Sequence, residues 1–185
     1  PRLEIDASVA PDYCVVDGRP FPMTGSTFMV PDNYRDCFSD LNVAVAHEEM
    51  ARLRRMGVNI LRSGVWTSYG LIYERDGGFR EKALRSMDAY FLCAAEAGLP
   101  VQFVPSAFVM NCWNREASMF HDPAVRSRVM QCFRQFAERY AGWPGVQLDI
   151  INEPSYAAFR HGQLWQRARP IGDPHELAAW HEWLR

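Results

Sequence analysis

The chain has 185 residues, of which 48% are hydrophobic and 23% are charged, as in an ordinary globular protein with one domain. The formal net charge is −2, without a basic run or an acidic tail, which argues against nucleic acid or an anionic membrane as a partner. No apolar stretch reaches the roughly 20 residues that span a bilayer, and no signal peptide is visible at the N-terminus.

The cysteines and histidines form no metal-binding pattern. The five cysteines show no CxxC spacing, and the five histidines form neither HxH nor HExxH. We therefore expect no metal site and no cofactor. Cys93 and Cys132 fall on apolar faces of predicted helices, so we expect them to be buried free thiols. The compartment stays open between the cytoplasm and secretion with a leader removed.

The N-terminal segment predicts a β-hairpin. Asp17-Gly18 is a strong two-residue turn signal between residues 13–16 and the segment from Pro20. Residues 21–30 follow as the first strand of a sheet, with Gly25 where close backbone packing is expected. We therefore divide the chain into a hairpin over 1–20, which caps the bottom of a barrel, and the barrel segment over 21–185.

After the hairpin one unit recurs, in which a helix ends at a glycine and an apolar strand follows. Helices are predicted over 43–56, over 81–97 and from Asp122, strands over 58–66, 100–108 and 146–151, and a last helix from Asp173. Gly57, Gly98 and Gly142 are the expected helix caps. The residues predicted to form the buried helix faces are Val43, Met50, Leu53 and Met56; Leu84, Met87, Phe91 and Ala94; and Val125, Val129, Cys132, Phe133, Phe136 and Tyr140.

Alternating strands and helices predict an α/β fold with a parallel sheet. The strands are nearly continuous apolar runs, as expected for strands covered on both faces. Eight units of this length need more than about 300 residues, so we predict a TIM (β/α)8 barrel with about its first four βα units in this chain. An open doubly wound sheet is the alternative, although neither GxGxxG nor GxxxxGK[ST] occurs here.

The segment Asp149-Ile150-Ile151-Asn152-Glu153-Pro154 gives the clearest chemical signal. An apolar strand runs directly into Asn-Glu, and barrel active sites lie at the C-terminal ends of the strands. A carboxyl group held there can keep a proton near neutral pH and deliver it to a glycosidic oxygen. Glu153 is therefore a candidate for this proton transfer, and the neighbouring Asn152 supplies an amide that can bond a sugar 2-hydroxyl. Asp149 is placed inside the strand and receives no role.

This segment resembles the clan of retaining (β/α)8 glycoside hydrolases that includes cellulases, mannanases and β-galactosidases, and is family 5-like. Their fourth strand ends in Asn-Glu, often Asn-Glu-Pro, which implies that Glu153 is the general acid/base and that Asn152 binds the sugar 2-hydroxyl. Residues 57–62 are similar to the clan's G-V-N-x-x-R strand, which implies that Arg62 lies under the active site and keeps the nucleophile ionised. Residues 17–21 and 142–146 resemble the clan's leads into its first and fourth strands. The resemblance implies a nucleophilic Glu after the seventh strand, beyond residue 185.

The loops after the predicted strands are expected to bind sugar, because aromatic faces stack on sugar rings and amides bind hydroxyls. An ion pair within the barrel is the alternative role for Arg62, and local loop packing is the alternative for the loop residues. Trp143 is assigned to packing at the barrel bottom. The predicted sugar-binding residues are Asn152, Arg62, Trp113, Asn111, Asn114, Trp66, His121 and Tyr156, and Tyr69 is a further candidate.

The sequence thus predicts a retaining β-glycoside hydrolase that acts on a β-linked oligosaccharide or polysaccharide. The carbohydrate substrate and the C-terminal half of the same barrel are the expected partners. A carbohydrate-binding barrel without catalytic activity is the first alternative, and a barrel enzyme of unrelated chemistry is the second.

Overall fold

A computed structural model of the chain describes residues 3–4, 6, 8–9, 14–28, 38, 40–64, 69–74, 76–104, 123–149 and 182. The strands are β1 (Leu3–Glu4), β2 (Cys14–Val16), β3 (Arg19–Phe21), β4 (Gly25–Thr27), β5 (Ile60–Ser63), β6 (Val101–Phe103) and β7 (Val146–Leu148). The helices are α1 (Val43–Arg55), α2 (Tyr69–Ile72), α3 (Glu81–Glu96) and α4 (Pro123–Tyr140).

The predicted hairpin is present between β2 and β3. Both residues of its turn, Asp17 and Gly18, have positive φ (49° and 72°), as a tight turn matched to the strand twist requires. A third strand, β1, which the sequence did not predict, pairs antiparallel with β2. Whether this small sheet caps the bottom of a barrel stays a prediction.

The four strands β4 to β7 form a second sheet, which is parallel throughout. Their spatial order follows their order in the chain, as in a (β/α) barrel. In a doubly wound sheet, by contrast, the strand order reverses at a switch point. The predicted α/β fold with a parallel sheet is therefore confirmed. Closure into a complete barrel stays a prediction, because the described strands form an open sheet.

Two of the three glycines predicted to cap a helix before a strand have the expected left-handed backbone. Gly57 and Gly98 have φ of 93° and 68°, and each directly follows a helix end. Gly142 does not adopt positive φ, so that prediction was wrong. After α4 the left-handed residue is Gly145, at φ 86°, three residues closer to β7.

The core lies between the parallel sheet and helices α1, α3 and α4. The predicted faces of α3 and α4 are buried where their side chains are described, except that Leu84 is half-buried. In α1 the prediction was partly wrong: Val43 and Met56 are 48% and 73% exposed, and Ala46 joins Met50 in the core. Val43 opens the first turn and Met56 is the C-cap, so both lie at the ends of the helix.

Candidate functional site

The parallel sheet has two faces with different chemistry. On one face of the sheet, Leu61, Val101 and Phe103 point into the aromatic core, and we call this face the helix face. Side chains alternate along a strand, so their neighbours Arg62 and Gln102 point to the other side, which we call the opposite face.

The opposite face carries one polar residue on each strand at the same level. Thr27 aligns with Arg62, Arg62 with Gln102, and Gln102 with Gln147 in the strand register. We call these four residues the polar row. Barrel interiors are usually filled by branched apolar side chains, so a polar row near the strand ends is typical of a site rather than of a core.

Arg62 forms an ion pair that crosses this face. Its Nε and Nη2 groups donate to Oδ2 of Asp149 at 3.3 and 3.0 Å. Both side chains are half-buried, at 33% and 20% exposure. Strand β6 lies between the two residues, so the guanidinium reaches over it.

Asp149 corrects the sequence analysis, which placed it inside the fourth parallel strand. The strand ends at Leu148, and Asp149 follows it, although its N–H still donates to the carbonyl oxygen of Phe103 at 2.8 Å. This last ladder bond fixes the backbone of Asp149 while its side chain turns toward Arg62. The motif pointed to Asn152 and Glu153, and no local signal marked a partner for Arg62 that lies 87 residues away.

The backbone after Arg62 is tightly held. Gly64 has φ of 84°, and a Cβ there would lie 2.3 Å from the carbonyl oxygen of Val104 and 2.9 Å from the ring of Phe103. Buried Ser63 shares a short hydrogen bond with the hydroxyl of Tyr90, on α3. The sequence analysis missed both features because it continued the strand to residue 66; the signal was a glycine directly after the strand's Arg-Ser.

Most of the predicted site residues lie outside the described part of the chain. Cys37 and Cys112 also lie outside it, as does the helix predicted from Asp173 except for Glu182. Tyr69 begins α2, a short helix that the sequence did not predict. The predicted site residues outside the described part are Glu153, Asn152, Trp113, Asn111, Asn114, Trp66, His121 and Tyr156. Their roles stay predictions.

Two cysteines and one tryptophan that the sequence analysis assigned to buried or packing positions are among the described residues. Cys93 and Cys132 are buried and lie outside any disulfide, and burial raises the pKa of the Cys93 thiol. Trp143, just before β7, packs against Tyr140 and Phe91 in the core. Among these residues no three His, Cys, Asp or Glu side chains are grouped to hold a metal ion. None of the helices that the structure describes is long and apolar enough to cross a bilayer.

The fold is similar to those of solved glycoside hydrolases. A GH5_18 protein from Streptomyces cattleya, in complex with GlcNAc, matches with a TM-score of 0.67 and 17% identity over 88% of this chain. A GH5_18 variant from Bifidobacterium longum subsp. longum, with a glutamate replaced by alanine and Manβ1-4GlcNAc bound, matches with a TM-score of 0.69 and 13% identity over 88%. A family 5 glycoside hydrolase from Bacteroides vulgatus matches with a TM-score of 0.57 and 14% identity over 82%.

This chain spans 40% of the length of the first two structures and 33% of the third. No protein-family model matches the chain, and no curated protein matches it in sequence. The likeness therefore establishes the fold, an α/β arrangement with a parallel sheet like that of part of a family 5 glycoside hydrolase barrel.

Proposed function

We propose that this chain forms the first half of the catalytic barrel of a retaining β-glycoside hydrolase, with Glu153 as its general acid/base. The observation that carries the proposal is the order and direction of β4 to β7. All four strands are parallel and end at one edge, and Asn152-Glu153-Pro154 follows the last of them by only a few residues. Active sites of such barrels lie at that edge.

The proposed reaction uses two carboxyl groups, one as the nucleophile and one as the general acid/base. A carboxylate attacks the anomeric carbon while Glu153 gives its proton to the glycosidic oxygen, so the C–O bond breaks and a glycosyl-enzyme ester forms. Glu153, now a carboxylate, then takes a proton from water, and that water displaces the ester and releases the sugar with its configuration retained. We assign the attacking carboxylate to a Glu after the seventh strand, contributed by the C-terminal half of the barrel about 5–5.5 Å from Glu153.

The remaining predicted residues are assigned to substrate binding and charge. Asn152 is proposed to bind the 2-hydroxyl, where hydrogen bonds strengthen as positive charge develops on the ring. Arg62 supplies positive charge near the strand ends, which favours the ionised form of a nearby carboxyl group. The sugar is proposed to stack on Trp113 and Trp66 and to bond Asn111, Asn114, His121 and Tyr156.

For the substrate class we propose a β-linked oligosaccharide with a manno-configured sugar next to N-acetylglucosamine. Structures of similar fold hold Manβ1-4GlcNAc or GlcNAc, which supports testing these sugars first. The polar row suits such a ligand, because a sugar presents hydroxyl groups that neutral amides and hydroxyls can bind.

The test is hydrolysis by the full-length protein of Manβ1-4GlcNAc and a panel of aryl β-glycosides, followed by proton NMR. We expect the first released sugar to keep the β configuration, and Glu153→Gln to slow hydrolysis of the disaccharide by about 100- to 10,000-fold. Release of the α anomer first would contradict the retaining mechanism. Sugar binding without any hydrolysis would instead favour the carbohydrate-binding barrel, and neither binding nor hydrolysis would favour unrelated barrel chemistry.

A further inference from the structure

The Arg62–Asp149 pair is aimed at the edge of the sheet where the proposed catalytic residues follow. Through Gln102, Arg62 stands level with Gln147 in the strand register. Its partner is nevertheless Asp149, two residues further along the chain. Two residues of a strand span about 6.6 Å, so the guanidinium leans toward the C-terminal strand ends.

The pair brings the charges of this face together. On the opposite face, the strand residues that the structure describes are otherwise neutral: Gly25, Thr27, Ile60, Gln102 and Gln147. Asp149 is thus the described acid that meets Arg62, and it lies four residues before Glu153. Movement of the Asp149 side chain would therefore change where the Arg62 guanidinium lies at this end of the sheet.

The hydrogen bonds also fix how the guanidinium is presented. A guanidinium has five N–H donors in a rigid plane, and Asp149 takes one from Nε and one from Nη2. Two bonds to one partner restrict the rotation of that plane. Asp149 thereby contributes to the direction in which the other donors face, which the flexible arginine stem alone would not fix.

We propose that Asp149 is a positioning residue of the site, which acts by holding the Arg62 guanidinium toward the strand ends. This inference rests on the proposed function. It assigns Asp149 a role that acts through Arg62 and needs no contact between Asp149 and the substrate. Loss of the carboxylate therefore changes the chemical step through Arg62.

The test compares Asp149→Asn with the wild type in the full-length protein, and uses Asp88→Asn as the matched control. Asp88 binds Arg139 between α3 and α4, and that pair is also half-exposed, at 30% and 41%. We expect Asp149→Asn to lower kcat on unactivated substrates by roughly 10- to 100-fold with a much smaller change in KM. Asp149→Glu should recover part of the loss, whereas Asp88→Asn should keep wild-type kcat per folded molecule.

A double-mutant cycle shows whether the effect passes through Arg62. If it does, adding Asp149→Asn to Arg62→Met lowers kcat by less than about twofold beyond Arg62→Met alone. Additive losses, or a wild-type kcat for Asp149→Asn, would overturn the proposal while leaving the hydrolase function intact.

A second measurement does not depend on activity. Hydrogen exchange of the Arg62 Nε–H, followed by ¹⁵N NMR, should be at least about tenfold faster in Asp149→Asn than in the wild type, because a bonded N–H is protected until the bond opens. Equal exchange rates would overturn the positioning role whether or not the protein hydrolyses glycosides. Absence of hydrolysis by the wild type would refute the proposed function and, with it, the catalytic consequence of the pair.

Discussion

Phe103 and Gln102 are neighbours on β6, yet they belong to two different environments. Phe103 is fully buried on the helix face, where its ring stacks on Phe136 at 5.1 Å and meets the edge of Phe91 at 5.5 Å. Gln102 is half-buried in the polar row on the opposite face. One face of the sheet is therefore built for apolar burial, which stabilises the fold, and the other keeps polar groups available for chemistry.

The largest expected effect comes from breaking the helix face. Phe103→Ala should lower the free energy of unfolding by about 3–5 kcal/mol, because it leaves a cavity among rings that cannot all collapse into it. Gln102→Ala, on the opposite face of the same strand, should change it by less than about 1 kcal/mol. Denaturant unfolding of the two variants measures both values, and equal losses would show that the two faces do not differ as described.

Gly64, directly after β5, tests how closely the ends of β5 and β6 approach each other. Gly64→Ala should cost about 3 kcal/mol, since a left-handed alanine is strained and its Cβ would overlap the Val104 carbonyl. Gly98→Ala is the matched control: Gly98 also has positive φ, at 68°, but its Cβ would have nothing within 4 Å, so about 1 kcal/mol is expected. A Gly64→Ala cost no larger than that of Gly98→Ala would contradict the close approach of the two strand ends.

A smaller effect on the free energy of unfolding is expected at alkaline pH from Tyr140, the last residue of α4. Burial, and then a hydrogen bond to Asp88, raise the pKa of Tyr140 above its ordinary value of 10.0. A raised pKa in the folded state means that this contribution to stability is complete below pH 10 and is lost as the pH rises above it. Tyr140→Phe should therefore cost about 1 kcal/mol at pH 7, and it should lose less stability than the wild type between pH 9 and 11.

Thermal unfolding across that pH range measures the difference. Tyr73 is a second buried tyrosine with a raised pKa, also through burial, so part of the alkaline loss should remain in Tyr140→Phe. Parallel pH curves for the variant and the wild type would contradict the assignment to Tyr140.

The helix residues that pack on the helix face of the sheet could be predicted from the sequence because their signal is local. Val129, Cys132, Phe133, Phe136 and Tyr140 repeat with the helical period, and all five are buried. The same reasoning failed at Met56, which keeps the period but is the C-cap, where the helix has ended, and is 73% exposed. Periodicity identifies a face of a helix, but it does not show where along the helix that face stops being covered.

The opposite face could be predicted only in part, because its chemistry depends on strand register. The motifs identified Arg62 and the end of the fourth parallel strand, and the structure brings these two places together. The choice of Asp149 as partner depends on which residues of β5, β6 and β7 stand level, and nothing in either segment states this. The strands were also predicted too long, since Gly64, Val104 and Asp149 were included although they follow the last residues of β5, β6 and β7.

The central claim is that the strand edge beyond β7 presents Glu153 as the acid that protonates the leaving group. The most direct test is the leaving-group dependence of Glu153→Gln in the full-length protein. For unactivated β-glycosides we predict a loss of about 100- to 10,000-fold in kcat/KM, because their departing oxygen needs the proton. For dinitrophenyl β-glycosides, which leave without it, the loss in the first step should be less than about tenfold. Equal and small losses for both substrates would contradict the assignment of Glu153 and, with it, the proposed function of this edge of the sheet.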